Sequence, residues 1–156
     1  MKTKLKTLIF LCVFQANIGN AQIKDYKVYQ DSIFNMCLIE NDSNIVVKSI
    51  LPIKALDTTA ITTNKHLLYR DIGFLYYKLY TLHQEHQFLK TAIYHHEKAI
   101  QYDPKFLLAL NDLMVFQYFN KDYQTCMLYY QTIKSISRPG KDLRQLYRLA
   151  KKKSHA

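Results

Sequence analysis

Beyond residue 22 the apolar side chains recur every three or four positions rather than every second one, a period that builds helices and not strands. The chain has only three glycines and three prolines in 156 residues. β-Sandwiches and glycine-rich nucleotide-binding folds need more of both for tight turns and phosphate loops. A chain of this length buries one substantial core, so the pattern predicts a single all-α domain of long helices joined by short polar turns. Its 49% hydrophobic share excludes wholesale disorder, and its 22% charged share excludes a polytopic membrane protein.

The first 21 residues read as a secretory signal peptide. Lys2, Lys4 and Lys6 form a basic start, Leu8 to Phe14 an unbroken apolar run, and Gly19 and Ala21 the small residues before a cut. A spanning helix needs about 20 apolar residues, and no stretch approaches that. Leu11 before Cys12 is not the small residue that a lipoprotein cysteine requires. The expected destination is therefore the periplasm or the exterior of a bacterial cell. Cys37 and Cys126 remain after cleavage, either bonded in an oxidising compartment or buried separately as small core residues.

Helices are expected over about 26–39, 44–56, 65–84, 88–101, 106–119, 122–136 and 141–152. Asn41-Asp42-Ser43 offers a cap, and is read as a turn rather than as the glycosylation triplet it also matches. Asp103-Pro104 places a capping side chain before a proline at a first helical position. Asn120-Lys121-Asp122 and Pro139-Gly140 supply the last two breaks. Pro52 shortens or kinks the second element, and Asp57 to Asn64, β-branched and polar, suits a loop.

A shift of 34 residues maps Tyr76, Leu79, Tyr80, His83, Ala92, His96, Ala99 and Pro104 onto Leu110, Leu113, Met114, Gln117, Cys126, Tyr130, Ile133 and Arg138. Large residues recur where the first helix of a pair faces its partner. Slim ones (Ala92, Cys126) recur early in the second helix, where two backbones approach. This spacing resembles the tetratricopeptide repeat over about 71–138. Only Leu79 and Leu113 are identical, and Tyr80 and Met114 stand where that family favours glycine. The resemblance implies stacked antiparallel helical hairpins in a right-handed solenoid. Its repeats would span about 71–104 and 105–138, beside a degenerate helix pair at 26–56 and a capping helix at 141–153. About three stacked units are needed to bury such apolar faces, so residues 22–156 are expected to form one domain.

Catalytic signatures are missing. Gly19, Gly73 and Gly140 lie too far apart for a phosphate loop, and there is no nucleophile elbow, Cys-x-x-Cys pair or His-Glu-x-x-His helix. The nearest approach to a site is His83, His86, His95 and His96, with Glu85 and Glu97. His83 and His96 fall on packing positions of the repeat, while His86 and His95 fall on its turn and surface. No metal, cofactor or catalytic residue is therefore assigned.

The architecture offers a surface instead. In stacked hairpins the first helices line a concave groove, here through Phe74, Tyr77, Thr81 and Gln84, then Leu108, Asn111, Val115 and Tyr118. Rigid aromatics at such positions suit peptide anchoring. The family's carboxylate-binding version needs lysines and asparagines there, and only Asn111 fits. The expectation is a non-enzymatic exported module that binds another protein in this groove.

Charge sets the alternative. The formal charge is +10, and +7 once the three signal lysines leave. Residues 22–133 hold 11 basic and 11 acidic side chains, so the whole surplus sits in 134–156. That distribution does not describe a nucleic-acid binder. It describes a neutral helical body with a basic end, which either keeps the stack soluble or contacts anionic envelope components. A small exported metal protein or enzyme using the histidines is the remaining alternative.

Overall fold

In a computed structural model that describes residues 26, 30, 46 and 63–155, the stretch 63–155 forms five helices, and no strand occurs among the described residues. They are α1 (Lys65–His83), α2 (His86–Tyr102), α3 (Leu107–Phe119), α4 (Tyr123–Ile136) and α5 (Lys141–Lys153). Each lies within two residues of its expected bounds, and the fold class is all-α. The signal segment 1–21 and the expected helices 26–39 and 44–56 fall outside the described residues, except that Gln30 and Val46 are helical.

Local chemistry explains the breaks. Gln84 takes a left-handed φ of 59° and sends its N–H back to the Tyr80 carbonyl at 2.7 Å, which ends α1 and allows a two-residue turn into α2. Lys121 is also left-handed, at φ 63°, and the Asp122 carboxylate accepts from the Thr125 N–H at 3.0 Å to cap α4. Asp103 departs from expectation. Its carboxylate accepts from the Lys105 N–H at 3.1 Å within a turn, so Pro104 lies in that turn and α3 starts only at Leu107. Gly140 opens α5, and the Pro139 carbonyl before it accepts from the Arg144 guanidinium.

Ring contacts fix the directions. Tyr69 stacks on Tyr102 at 5.4 Å while Tyr76 meets His95 at 5.7 Å, so α1 and α2 are antiparallel. Between α1 and α3 the pairs are His66–Phe106, Arg70–Asp112, Tyr77–Phe116 and Tyr80–Phe119. These advance together along both helices, so α1 and α3 run parallel.

Two core clusters fill the spaces between helices. Leu89, Ala92 and Ile93 of α2 meet Leu113 and Phe116 of α3. Leu110 and Met114 of α3 meet Cys126 and Ile133 of α4 and Ala150 of α5. Ile100 and Tyr129 pack against both, which joins the clusters. Burying each leucine in this way contributes about 2 kcal/mol. Leu79, Leu113, Ala92 and Cys126 are all buried, whereas His83 is exposed and its 34-residue counterpart Gln117 is buried. Tyr26 and Val46 are fully buried too.

Candidate functional site

A polar relay crosses the interior where α1, α2 and α3 meet. Asp71 sits on α1 among Leu68, Ile72 and Leu75, and its side chain is fully buried. Its Oδ2 accepts from the Tyr26 hydroxyl and from Gln30 Nε2, each at 3.1 Å, and its Oδ1 accepts from Arg70 Nη1 at 3.0 Å. Arg70 Nε lies 3.6 Å from Asp112 Oδ2 on α3, an ion pair rather than a hydrogen bond. The same Asp112 oxygen lies 3.2 Å from Nε2 of the fully buried His96 on α2. Nδ1 of His96 faces the Ala92 carbonyl at 3.0 Å. The relay therefore ties residues 26 and 30 to three helices.

Desolvation pushes the Asp71 carboxyl above its ordinary value of 3.8, and the Arg70 charge, with the three hydrogen bonds, opposes that rise. Breaking a buried pair of this kind by removing one partner costs about 3–5 kcal/mol, because the other charge stays uncompensated.

A ladder of rings closes the α1–α2 seam. Tyr69, Tyr76 and His83 are spaced by seven on α1, as are Phe88, His95 and Tyr102 on α2. They interleave in the order Tyr102, Tyr69, His95, Tyr76, Phe88, His83, with centroid separations of 5.4, 6.1, 5.7, 6.5 and 6.0 Å. Two of the four histidines thus belong to the ladder, His96 belongs to the relay, and His86 is exposed. The structure does not gather the four. Among the described residues no group of three His, Cys, Asp or Glu side chains is placed to hold a metal ion.

The residues expected to line a groove divide by depth. Thr81, Gln84 and Leu108 are exposed, while Phe74, Tyr77, Asn111, Val115 and Tyr118 are half-buried. Tyr77 stacks on Phe116 at 4.4 Å and, with Val115, packs on the first core cluster. Burial raises the Tyr77 phenol above 10.0. Tyr118 packs on the second cluster and meets Tyr123 edge-on at 5.6 Å. Phe74 lies under the Arg70 guanidinium at 5.3 Å. Gln84 is a turn residue whose amide donates to the Thr81 carbonyl at 3.1 Å.

Phe119 was not singled out by the sequence, yet it is 46% exposed. Its ring touches Tyr77, Tyr80 and Tyr118 at 6.3, 6.4 and 6.1 Å. The α1–α3 surface therefore carries an aromatic rim on an ordered base.

The far end differs in character. A rotation of about 100° per residue puts Lys141, Arg144, Arg148, Lys151 and Lys152 on one side of α5. Leu143, Leu146, Tyr147 and Ala150 lie opposite and pack on the second cluster. No described helix is long and apolar enough to cross a membrane. Cys126 is a free, fully buried thiol. No family model matches the sequence, and no curated protein matches it.

Proposed function

We propose that the chain is an exported, non-catalytic interaction module of tetratricopeptide-like helical hairpins that holds a partner protein or peptide along α1 and α3. The observation that carries the reading is the aromatic rim. Phe119 stays half-exposed although it packs on Tyr77, Tyr80 and Tyr118, so its position is set before any partner arrives. A pre-ordered ring loses little conformational freedom on binding, and anchors of that kind dominate interface energies. Leu108, 53% exposed on α3, adds an aliphatic contact.

The test is affinity capture from an envelope extract by the full chain and by Phe119→Ala and Leu108→Ala, each checked for unchanged helicity. Leu128→Ala is the control, because Leu128 is 66% exposed on α4, outside the groove. A partner lost by the first two and kept by the control supports the groove. A partner kept by all three removes it.

The basic end supports a second reading, contact with an anionic surface. The α5 cations share one side of the helix, where like charges three and four positions apart repel. Binding through them would weaken steeply with salt, whereas capture by the aromatic rim would not.

A further inference from the structure

The cations of α5 have no carboxylate to answer them. Lys141, Arg148, Lys151 and Lys152 are exposed on one side of the helix. Among the described residues, none of these four side chains makes an ion pair or a hydrogen bond. The sequence supplies the reason. α4, against which α5 packs, contains no Asp or Glu, and the one acid of α5 is Asp142 in its first turn. At about 100° per residue, Asp142 projects about 80° or more away from each of the four. Asp112 on α3 is engaged by Arg70 and His96.

We infer that this strip docks on the headgroups of an anionic phospholipid bilayer, an inference that rests on the second reading above and names the surface. From Lys141 to Lys152 the cations run about 16 Å along a convex rod. Lysines on flexible stems, with no pocket between them, suit a continuous layer of negative charge better than a shaped peptide. A single-stranded nucleic acid is held by stacking rings, and the one ring of α5, Tyr147, stacks on Tyr130 at the opposite side. Leu149 lies about 60° round from Lys152 and is 43% exposed, an aliphatic contact at the depth where headgroups meet acyl chains.

The same geometry sets the mode of contact. Leu143, Leu146, Tyr147 and Ala150 are occupied by the second core cluster, so α5 stays seated and its apolar face does not enter the bilayer. Attachment is peripheral, and charge supplies most of it. The surface potential of an anionic leaflet falls off within a Debye length, so added salt releases the protein.

The test is amine acetylation of the full chain, read lysine by lysine by mass spectrometry, with and without lipid vesicles. Equimolar phosphatidylcholine–phosphatidylglycerol vesicles should slow the reaction at Lys141, Lys151 and Lys152 at least several-fold. Lys90 on α2 and Lys105, both exposed and away from α5, should react as before. Phosphatidylcholine vesicles alone should protect none of them, and raising salt from about 0.1 M to about 0.5 M should remove the protection. In Arg148→Gln/Lys152→Gln, checked for unchanged helicity, protecting Lys141 should take about 25-fold more lipid, about five-fold for each cation removed. Equal protection by both kinds of vesicle, or by wild type and variant alike, overturns the inference. Protection of the α5 lysines by soluble polyphosphate but by neither vesicle also overturns it, and leaves the reading of an anionic partner standing. Protection by neither polyphosphate nor vesicles removes both.

Discussion

Gly73 on α1 lies against the edge of the His96 ring on α2, so closely that a Cβ at this glycine would sit 2.2 Å from Nδ1 and 2.9 Å from the Ala92 carbonyl. The two helices approach at Gly73 and Ala92 because neither side chain holds them apart. The approach brings the imidazole within reach of Asp112 across the interface.

Gly73→Ala is accordingly expected to destabilise the protein. Alanine gains about 1 kcal/mol over glycine in a helix interior. Against that, the new methyl meets a fully buried ring and a backbone oxygen, neither free to move, and overpacking of this kind costs about 1–3 kcal/mol before hydrogen bonds are counted. The clash outweighs the propensity. Urea unfolding checks the sign, and in a His96→Ala background the same substitution should cost far less. A Gly73→Ala protein more stable than the wild type would refute the close approach.

Asp71 gives stability a predictable pH slope. Burial raises its folded-state value above 3.8, so the folded protein binds this proton more tightly than the unfolded chain does. The resulting contribution is fully present below 3.8 and is lost as pH rises through the raised folded-state value. The stability of wild type relative to Asp71→Asn should therefore improve on acidification. Unfolding both proteins between about pH 3 and about pH 7 measures the gap, which cancels groups the two share. A gap that stays flat would mean the carboxyl is not desolvated.

How much of this was legible beforehand depends on the range of the forces. Helix bounds were readable because caps and apolar period act within a few residues, as at Asp122 and Thr125. The slim Ala92 was readable from the 34-residue spacing; its companion Gly73 was not, because that spacing pairs it with no marked position. The relay was missed altogether. Asp71 shares a helix face with Leu68, Ile72 and Leu75, and a carboxylate on an apolar face was an available signal. Its partners Tyr26 and Gln30 lie 45 and 41 residues away, beyond any local pattern. Of the residues expected to line a groove, Tyr77 and Val115 pack on the core, a depth that periodicity does not set.

Cys126 should be chemically silent until the protein unfolds. Burial, with the Asp122 charge adding to it, pushes its thiol up to about 11, and its side chain is fully covered. The thiolate is the reactive form, so little of it exists near neutral pH. With Cys12 and Cys37 replaced by serine, a disulfide reagent should label the folded chain at least a hundredfold more slowly than the urea-unfolded chain. Comparable rates would place the thiol at the surface.

One ring pair contributes to the seating of α5. Tyr130 of α4 stacks on Tyr147 of α5 at 4.3 Å with planes 21° apart, and among the described residues Ala150 is the only fully buried side chain of α5. Most of the helix's attachment therefore rests on half-buried contacts through Leu143, Leu146 and Tyr147. Truncating a large aromatic costs about 3–5 kcal/mol in a full core, and a partly exposed ring should cost less, about 1–3 kcal/mol. Tyr147→Ala is expected to fray α5 while α1 to α3 hold, because the ring ladder and the relay lie outside it. Hydrogen exchange resolved along the chain distinguishes the outcomes. Protection lost over 141–153 alone fits a separately docked end helix, and protection lost evenly from α1 to α5 would show that the two core clusters unfold as one.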